Sequence, residues 1–272
     1  MAGIAVPALA IAFWRNAMAS GVLLPFSAIR GGVRREIMAL GRAEWRLALA
    51  AGVLLALHFG TWVPSLTHTS VASATALVAT QPIWSALIAR WQGQTIQRSM
   101  WIGMAIAIAG VVLLTGLDFS LNSRALGGDL LALVGGMFAA GYVALGGQVR
   151  RTVSTSAYTT ICYSTCSLLL LPVCLISGSH LAGYTSRSWV GLVAVTVGAQ
   201  FLGHSLIARI LRATDPTFVS LMILFEVPGA ALLAAIFLHQ HPQWRALPAA
   251  AMLIAGVIVV VRSSSKAMPV VD

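Results

Sequence analysis

The chain has 272 residues, 58% of them apolar and only 9% charged, with a mean hydropathy of +0.89. Too few polar residues are present to coat a soluble globule of this size, so the composition excludes a water-soluble domain and points to lipid as the solvent. The formal charge of +10 raises nucleic acid as a partner, a reading that the placement of the basic residues removes.

A helix crossing a hydrocarbon core of about 30 Å needs roughly 20 apolar residues, and on that measure the chain holds nine predicted spans. Continuous apolar runs call for helices and exclude a barrel, whose strands alternate in short segments. The first span, about 5–28, carries Arg15, and the second, about 47–66, carries His58 with Trp62 one turn on. In the third, about 70–90, Ser73, Leu77, Gln81 and Trp84 share a face, and Pro82 removes a backbone hydrogen bond and kinks the helix. The fourth (about 99–117) and fifth (about 127–147) are rich in Gly and Ala, which lets backbones approach closely in lipid. Cys162, Cys166 and Cys174 fall on one face of the sixth, about 157–178, as small apolar fillers; without neighbouring His or acid they make a poor metal site. The seventh, about 189–210, holds His204 with Gln200 one turn back. The eighth, about 216–238, holds Thr217, Ser220 and Leu224 on one face, then Glu226 and a second kink at Pro228; the ninth is about 245–262. The connection 29–46 is too short for a core of its own, and 263–272 is expected to be a polar tail. The start lacks a basic stretch ahead of its apolar run, so no secretory signal is expected.

The basic residues follow the spans. Thirteen of the 17 fall in alternate connections, including Arg30, Arg34, Arg35, Arg42 and Arg46, against Arg124, Arg187 and Arg245 on the other side and Arg15 within a span. By the positive-inside rule the thirteen and the C-terminus are cytoplasmic and the N-terminus is outside. The charge is a topology signal, and no nucleic-acid partner is expected.

Shifted by 146 positions, the chain matches itself without a gap: His58 falls on His204, Gly52 on Gly198, Pro82 on Pro228, Gln94 on Gln240, and Ile108 to Val112 on Ile254 to Ile258. With the topology above, the third span runs inward and its counterpart, the eighth, outward, so the repeat is inverted. Inverted repeats place equivalent residues about a pseudo-two-fold axis in the membrane plane, with a shared site near the middle.

Polar groups at membrane depth cost several kcal/mol unless paired or wetted, roughly, and so become candidates for function. The substrate-cavity candidates are Arg15, His58, Trp62, Gln81, Trp84, Gln200, His204 and Glu226. Each has a plain structural alternative. The histidines can donate to backbone carbonyls and pack helices; Arg15 and Glu226 can form a structural ion pair; and the faces bearing Gln81 and Trp84 can be ordinary helix interfaces. No nucleophile motif, zinc motif, P-loop or dinucleotide fingerprint occurs in a plausible context, so no catalytic residue, metal or cofactor is assigned.

The segments Thr69 to Gln94 and Gly103 to Leu114, repeated as Asp215 to Gln240 and Pro248 to Val260, resemble the EamA-type members of the drug/metabolite transporter superfamily. Gly127 to Arg151 resembles the opening helix of that family's second unit, and Phe13 to Ser20 the Arg-bearing second helix of its first. The resemblance implies ten helices in two inverted five-helix units. Two features depart from it: the family's Glu at the end of the Pro-containing helix is Gln94 and Gln240 here, and its first helix has no counterpart. The expected architecture is therefore an all-α membrane bundle with a four-helix first repeat (1–117), a five-helix second repeat (127–262) and a cytoplasmic tail (263–272).

The function expected is transport of a small organic metabolite or drug-like solute by alternating access, export by family resemblance, in the plasma or bacterial inner membrane. The partners are the solute and the lipid bilayer, and a homodimer is compatible with the reading. The alternative is a non-transporting membrane protein, either a degenerate scaffold or an intramembrane enzyme built on His58, His204 and Glu226.

Overall fold

The computed structural model describes residues 5–69, 71–115, 123–225, 229 and 246–265, and all regular structure among them is helical. In chain order the helices are α1 (Ala8–Ile29), α2 (Gly31–Ala39), α3 (Arg42–Ser65), α4 (Val71–Val78), α5 (Gln81–Trp91), α6 (Arg98–Thr115), α7 (Ser123–Val149), α8 (Thr155–Ile176), α9 (Ser186–Val195), α10 (Ser205–Ile210), α11 (Pro216–Ile223) and α12 (Ala246–Ser265). A π-helical segment, Thr196–His204, joins α9 to α10 without a break. Five helical stretches among the described residues are long and apolar enough to cross a membrane: α1, α3, α7, α8 and the composite Ser186–Ile210.

Two cores form. In one, α3 packs on α7 and α8, and α1 on α8, around Leu55, Phe59, Tyr142, Tyr158 and Tyr163. The other joins α4, α5 and α6 to α11 and α12 around Met104, Leu221 and Leu253. Its main seam, α6 against α12, is a backbone contact. A Cβ on Gly103 would lie 2.7 Å from the Gly256 carbonyl and 2.6 Å from Val260 Cγ2; one on Gly110 would meet Leu253 N at 2.6 Å and Ala249 O at 2.8 Å; one on Gly256 would meet Gly103 O and Ala107 N, both at 2.5 Å. Contacts moving forward along α6 therefore move backward along α12, so the pair is antiparallel. The contacts are also reciprocal: Gly110 meets residues 249 and 253, while Gly256, 146 positions on from Gly110, meets Gly103 and Ala107, 146 positions before those two.

Three elements differ from the simple succession of spans, each for a local reason. The connection expected to be a loop contains α2, because Val33, Ile37 and Leu40 repeat with helical spacing and pack against the first core. α3 starts five residues early, at Arg42, since Glu44 reaches back to accept the Gly41 N–H at 2.6 Å and its charge suits a helix N-terminus. The third span is two helices. Pro82 lies in the first turn of α5, where its missing N–H costs nothing, and its ring would collide with the carbonyl of Val78, the last residue of α4. The Thr80 hydroxyl fills the gap by donating to Leu77 O at 2.7 Å. The interruption at Pro82 is thus a break between helices, more than a kink within one. Pro228 lies outside the described residues.

Candidate functional site

Seven residues inside α1 from its start sits Arg15, and seven residues before the end of α3 sits His58. At 1.5 Å per residue both lie about 10 Å in from the same end of two helices that pack together. Arg15 is buried and its Nε donates to Gln200 Oε1 at 2.8 Å. Gln200 Nε2 in turn donates to Asn16 Oδ1 at 3.0 Å, and Asn16 Nδ2 to the Ala12 carbonyl at 2.9 Å. This chain ties α1 to the π segment through three buried polar side chains. The guanidinium also lies 4.4 Å from the centre of the Phe59 ring, a cation–π contact that partly replaces lost hydration.

The histidines flank this network. His58 Nδ1 is 2.9 Å from the Gly135 carbonyl, which only accepts, so the tautomer protonated at Nδ1 follows. Its ring stacks on Trp62 (5.6 Å, 8° between planes) and touches Phe59, which meets His204 edge-on at 5.3 Å. His204 then approaches Tyr142 at 5.9 Å, and Tyr142 approaches Tyr158 at 6.5 Å. The result is a continuous row of rings from Trp62 to Tyr158. Trp62 Nε1 and His204 Nδ1 are buried and have no hydrogen-bond partner among the described residues. Buried polar atoms in a native fold are satisfied as a rule, so these two stand out along the row.

The π segment explains how His204 and Gln200 come to this row. Its i→i+5 bonding holds the Gln200 carbonyl to the Ser205 N–H, and Ser205 Oγ (3.3 Å) and Tyr163 Oη (3.4 Å) donate to the same oxygen. π turns insert a residue into a helix and often lie at functional positions. Here the segment carries Gln200, whose amide bonds α1.

Arg15, His58, Trp62, Gln200 and His204 are therefore brought together. Gln81 is not part of that group: its Nε2 donates to Ser220 Oγ at 3.2 Å, and Ser220 also bonds Ser85 at 2.7 Å, making a second buried polar contact between α5 and α11. Trp84 stands apart as well, donating to Thr80 Oγ1 at 3.1 Å and opening onto an apolar groove with Leu87, Ile88, Trp91 and Met137. Glu226 lies outside the described residues. Asn16, Tyr163, Ser205, Tyr142 and Tyr158 belong to the site and were missed in the sequence; Asn16, adjacent to Arg15 in an apolar run, was the readable one. No group of three or more metal-ligating side chains occurs among the described residues.

Trp14, next to Arg15 in α1, belongs to a separate aromatic group. Trp14 Nε1 donates to the Leu181 carbonyl at 2.9 Å, and its ring meets Trp189 edge-on at 5.0 Å, with Tyr184 packed on Trp189.

Comparison with known proteins finds the same chain-wide pattern. The family model described as the EamA-like transporter family matches residues 2–116 and again 126–262. A protein of Archaeoglobus fulgidus called an uncharacterized transporter is 23% identical over 251 residues, 91% of this chain and 85% of its own length. A crystal structure described only as that of a protein superposes with a TM-score of 0.78 at 17% identity, covering 97% of this chain and 91% of the other; at that identity the likeness concerns the fold.

Proposed function

Because the chain belongs to the EamA-like transporter family, and so is a multi-pass membrane transporter, we propose that it moves a small organic solute by alternating access between two inverted halves, 1–117 and 127–262. The observation that carries this reading is the junction at Arg15. Arg15, His58 and Trp62 come from the first family match, Gln200 and His204 from the second, and they meet in one buried, partly unsatisfied polar row. A solute site shared by both repeats is what such transporters need. The reciprocal, antiparallel contact of α6 with α12 supports the inversion, since a two-fold axis in the membrane plane exchanges those helices. The helix break before Pro82 supplies a flexing point on one half and the π segment another on the second half.

In this reading the rings and orphan polar atoms favour an amphiphilic solute, and Arg15 favours one with an anionic group. The protein resides in the cell membrane with its C-terminus in the cytoplasm and works as an exporter. No catalytic step is assigned. The test is efflux of a metabolite panel from proteoliposomes holding the purified protein. Arg15→Gln, His58→Asn and His204→Asn should each lower flux of the responding solute at least about tenfold while the thermal unfolding midpoint in detergent moves by a few degrees. Full flux in all three variants removes the row from the transport path.

A further inference from the structure

The Arg-rich end of the bundle has an unusual disposition of charge. Among the described residues its carboxylates are Glu36, Glu44 and Asp215, and each is turned onto a helix N-terminus. Glu36 Oε1 accepts the Ser154 N–H at 2.5 Å, Glu44 Oε2 the Gly41 N–H at 2.6 Å, and Asp215 Oδ1 the Thr217 N–H at 2.7 Å. Glu36 matters most. It is the only acid of α2, and its bond to the start of α8 pins the inner face of that helix, with Val33 and Ile37, against the first core. The outer face is left to Arg34 and Arg35, flanked by Arg30 before α2 and by Arg42 and Arg46 in the opening turns of α3, and all five are exposed. Two large apolar side chains stand among them: Ile29 is 84% exposed and Met38 is 73% exposed. Arg30 lies along the Phe26 ring at 5.1 Å, and Arg35 Nε donates to the Gly31 carbonyl at 3.1 Å, so two of the guanidinium groups are already oriented.

A short helix with apolar residues on its flanks, cations on its open face and its one acid withdrawn suits the headgroup layer of a membrane. Apolar groups enter the acyl boundary, arginine stems lie along it, and the guanidinium forks reach phosphodiester oxygens, which they match bidentately. A soluble partner offers no place for Ile29 and Met38 beside the anion, and the helices on either side of α2 enter the bilayer, so it is held at the level of the phosphates. We propose that the α2 face, centred on Arg30, Arg34 and Arg35, is a binding site for anionic phospholipid headgroups.

The site can be read without any transported solute, so its failure and that of the transport reading are separate. The protein in a nonionic detergent is titrated with phosphatidylglycerol or phosphatidylcholine, and retained lipid is counted by native mass spectrometry. The wild type should retain phosphatidylglycerol about tenfold more strongly, with the preference shrinking in 0.5 M salt, where the Debye length falls to about 4 Å. Arg34→Gln/Arg35→Gln should cut the preference at least about threefold, whereas Arg90→Gln/Arg98→Gln, in a different connection, should leave it unchanged. Since Arg34 and Arg35 are exposed, the variant is expected to fold, and an unshifted unfolding midpoint checks that. Equal retention of the two lipids by the wild type overturns the proposal whatever the variants do. So does an undiminished preference in Arg34→Gln/Arg35→Gln, or displacement of the lipid by millimolar inorganic phosphate, which would make the ligand a free anion.

Discussion

α3 and the stretch Ser186–Ile210 occupy matching places 146 positions apart, and they handle the same residues differently. α3 is a regular helix: Gly52 admits the α8 backbone, and His58 is bonded to Gly135. Its counterpart carries the π segment, has open space around Gly198, leaves His204 Nδ1 without a partner among the described residues, and has Gln200 where α3 has Leu54. Much less of it is buried. Both copies hold the histidine and the glycine, and at the position of Leu54 the second copy has the amide that bonds Arg15 and Asn16. In the proposed mechanism α3 is the fixed wall and the second copy the one that rearranges.

The comparison can be broken most severely at Gln200. Gln200→Leu places the residue of the first copy there and removes the acceptor of the Arg15 Nε–H and the donor to Asn16 Oδ1, at a cost of about 3 kcal/mol because one of the two bonds lost involves a charged group. Thermal unfolding in detergent should show a drop of several degrees, and wild-type stability would mean that the bridge bears no load. The glycines come next. Gly52→Ala sets a methyl 2.6 Å from Thr165 Cβ and 2.9 Å from the Cys162 carbonyl, and overpacking of that kind costs about 2 kcal/mol. Gly198→Ala meets nothing within 4 Å and should leave the midpoint level or raise it slightly, since alanine restricts the unfolded chain by roughly 0.5 kcal/mol. Equal responses at the two glycines would erase the distinction between the copies. The smallest expected effect separates the histidines: His58→Phe loses the bond to Gly135 and should cost about 1 kcal/mol, whereas His204→Phe should fall within about 0.5 kcal/mol. A larger loss at His204 than at His58 would reverse the assignment of wall and moving part.

Much of this was readable in the amino acids because lipid imposes a coarse rule. An uninterrupted apolar run has to be helical, and α1, α3, α7, α8 and the composite Ser186–Ile210 each lie on a predicted span. Arg15, His58 and His204 stood out for the converse reason, as polar groups that a bilayer tolerates only in the interior, and Gln200 as the amide one turn before His204. What escaped notice depends on finer geometry. Inserting one residue into a helix leaves hydropathy unchanged, so the π segment carried no signal. The Val33, Ile37, Leu40 spacing that builds α2 was present but sat within a charged connection. Tyr142, Tyr158 and Tyr163 pass for apolar packing, and their hydroxyl groups become informative only when their neighbours are known. Trp84 shows the limit of such a reading: a helical face identifies neighbours along one helix and says nothing about which partner that face meets.

The position of Trp14 has a mechanical consequence. Trp14 and Arg15 are consecutive on one rigid helix, one held by the Leu181 carbonyl and the other by Gln200. In the proposed mechanism, any swing of α1 large enough to lift the indole from its anchor also drags the neighbouring guanidinium off the amide, so the two grips release as strokes of a single lever.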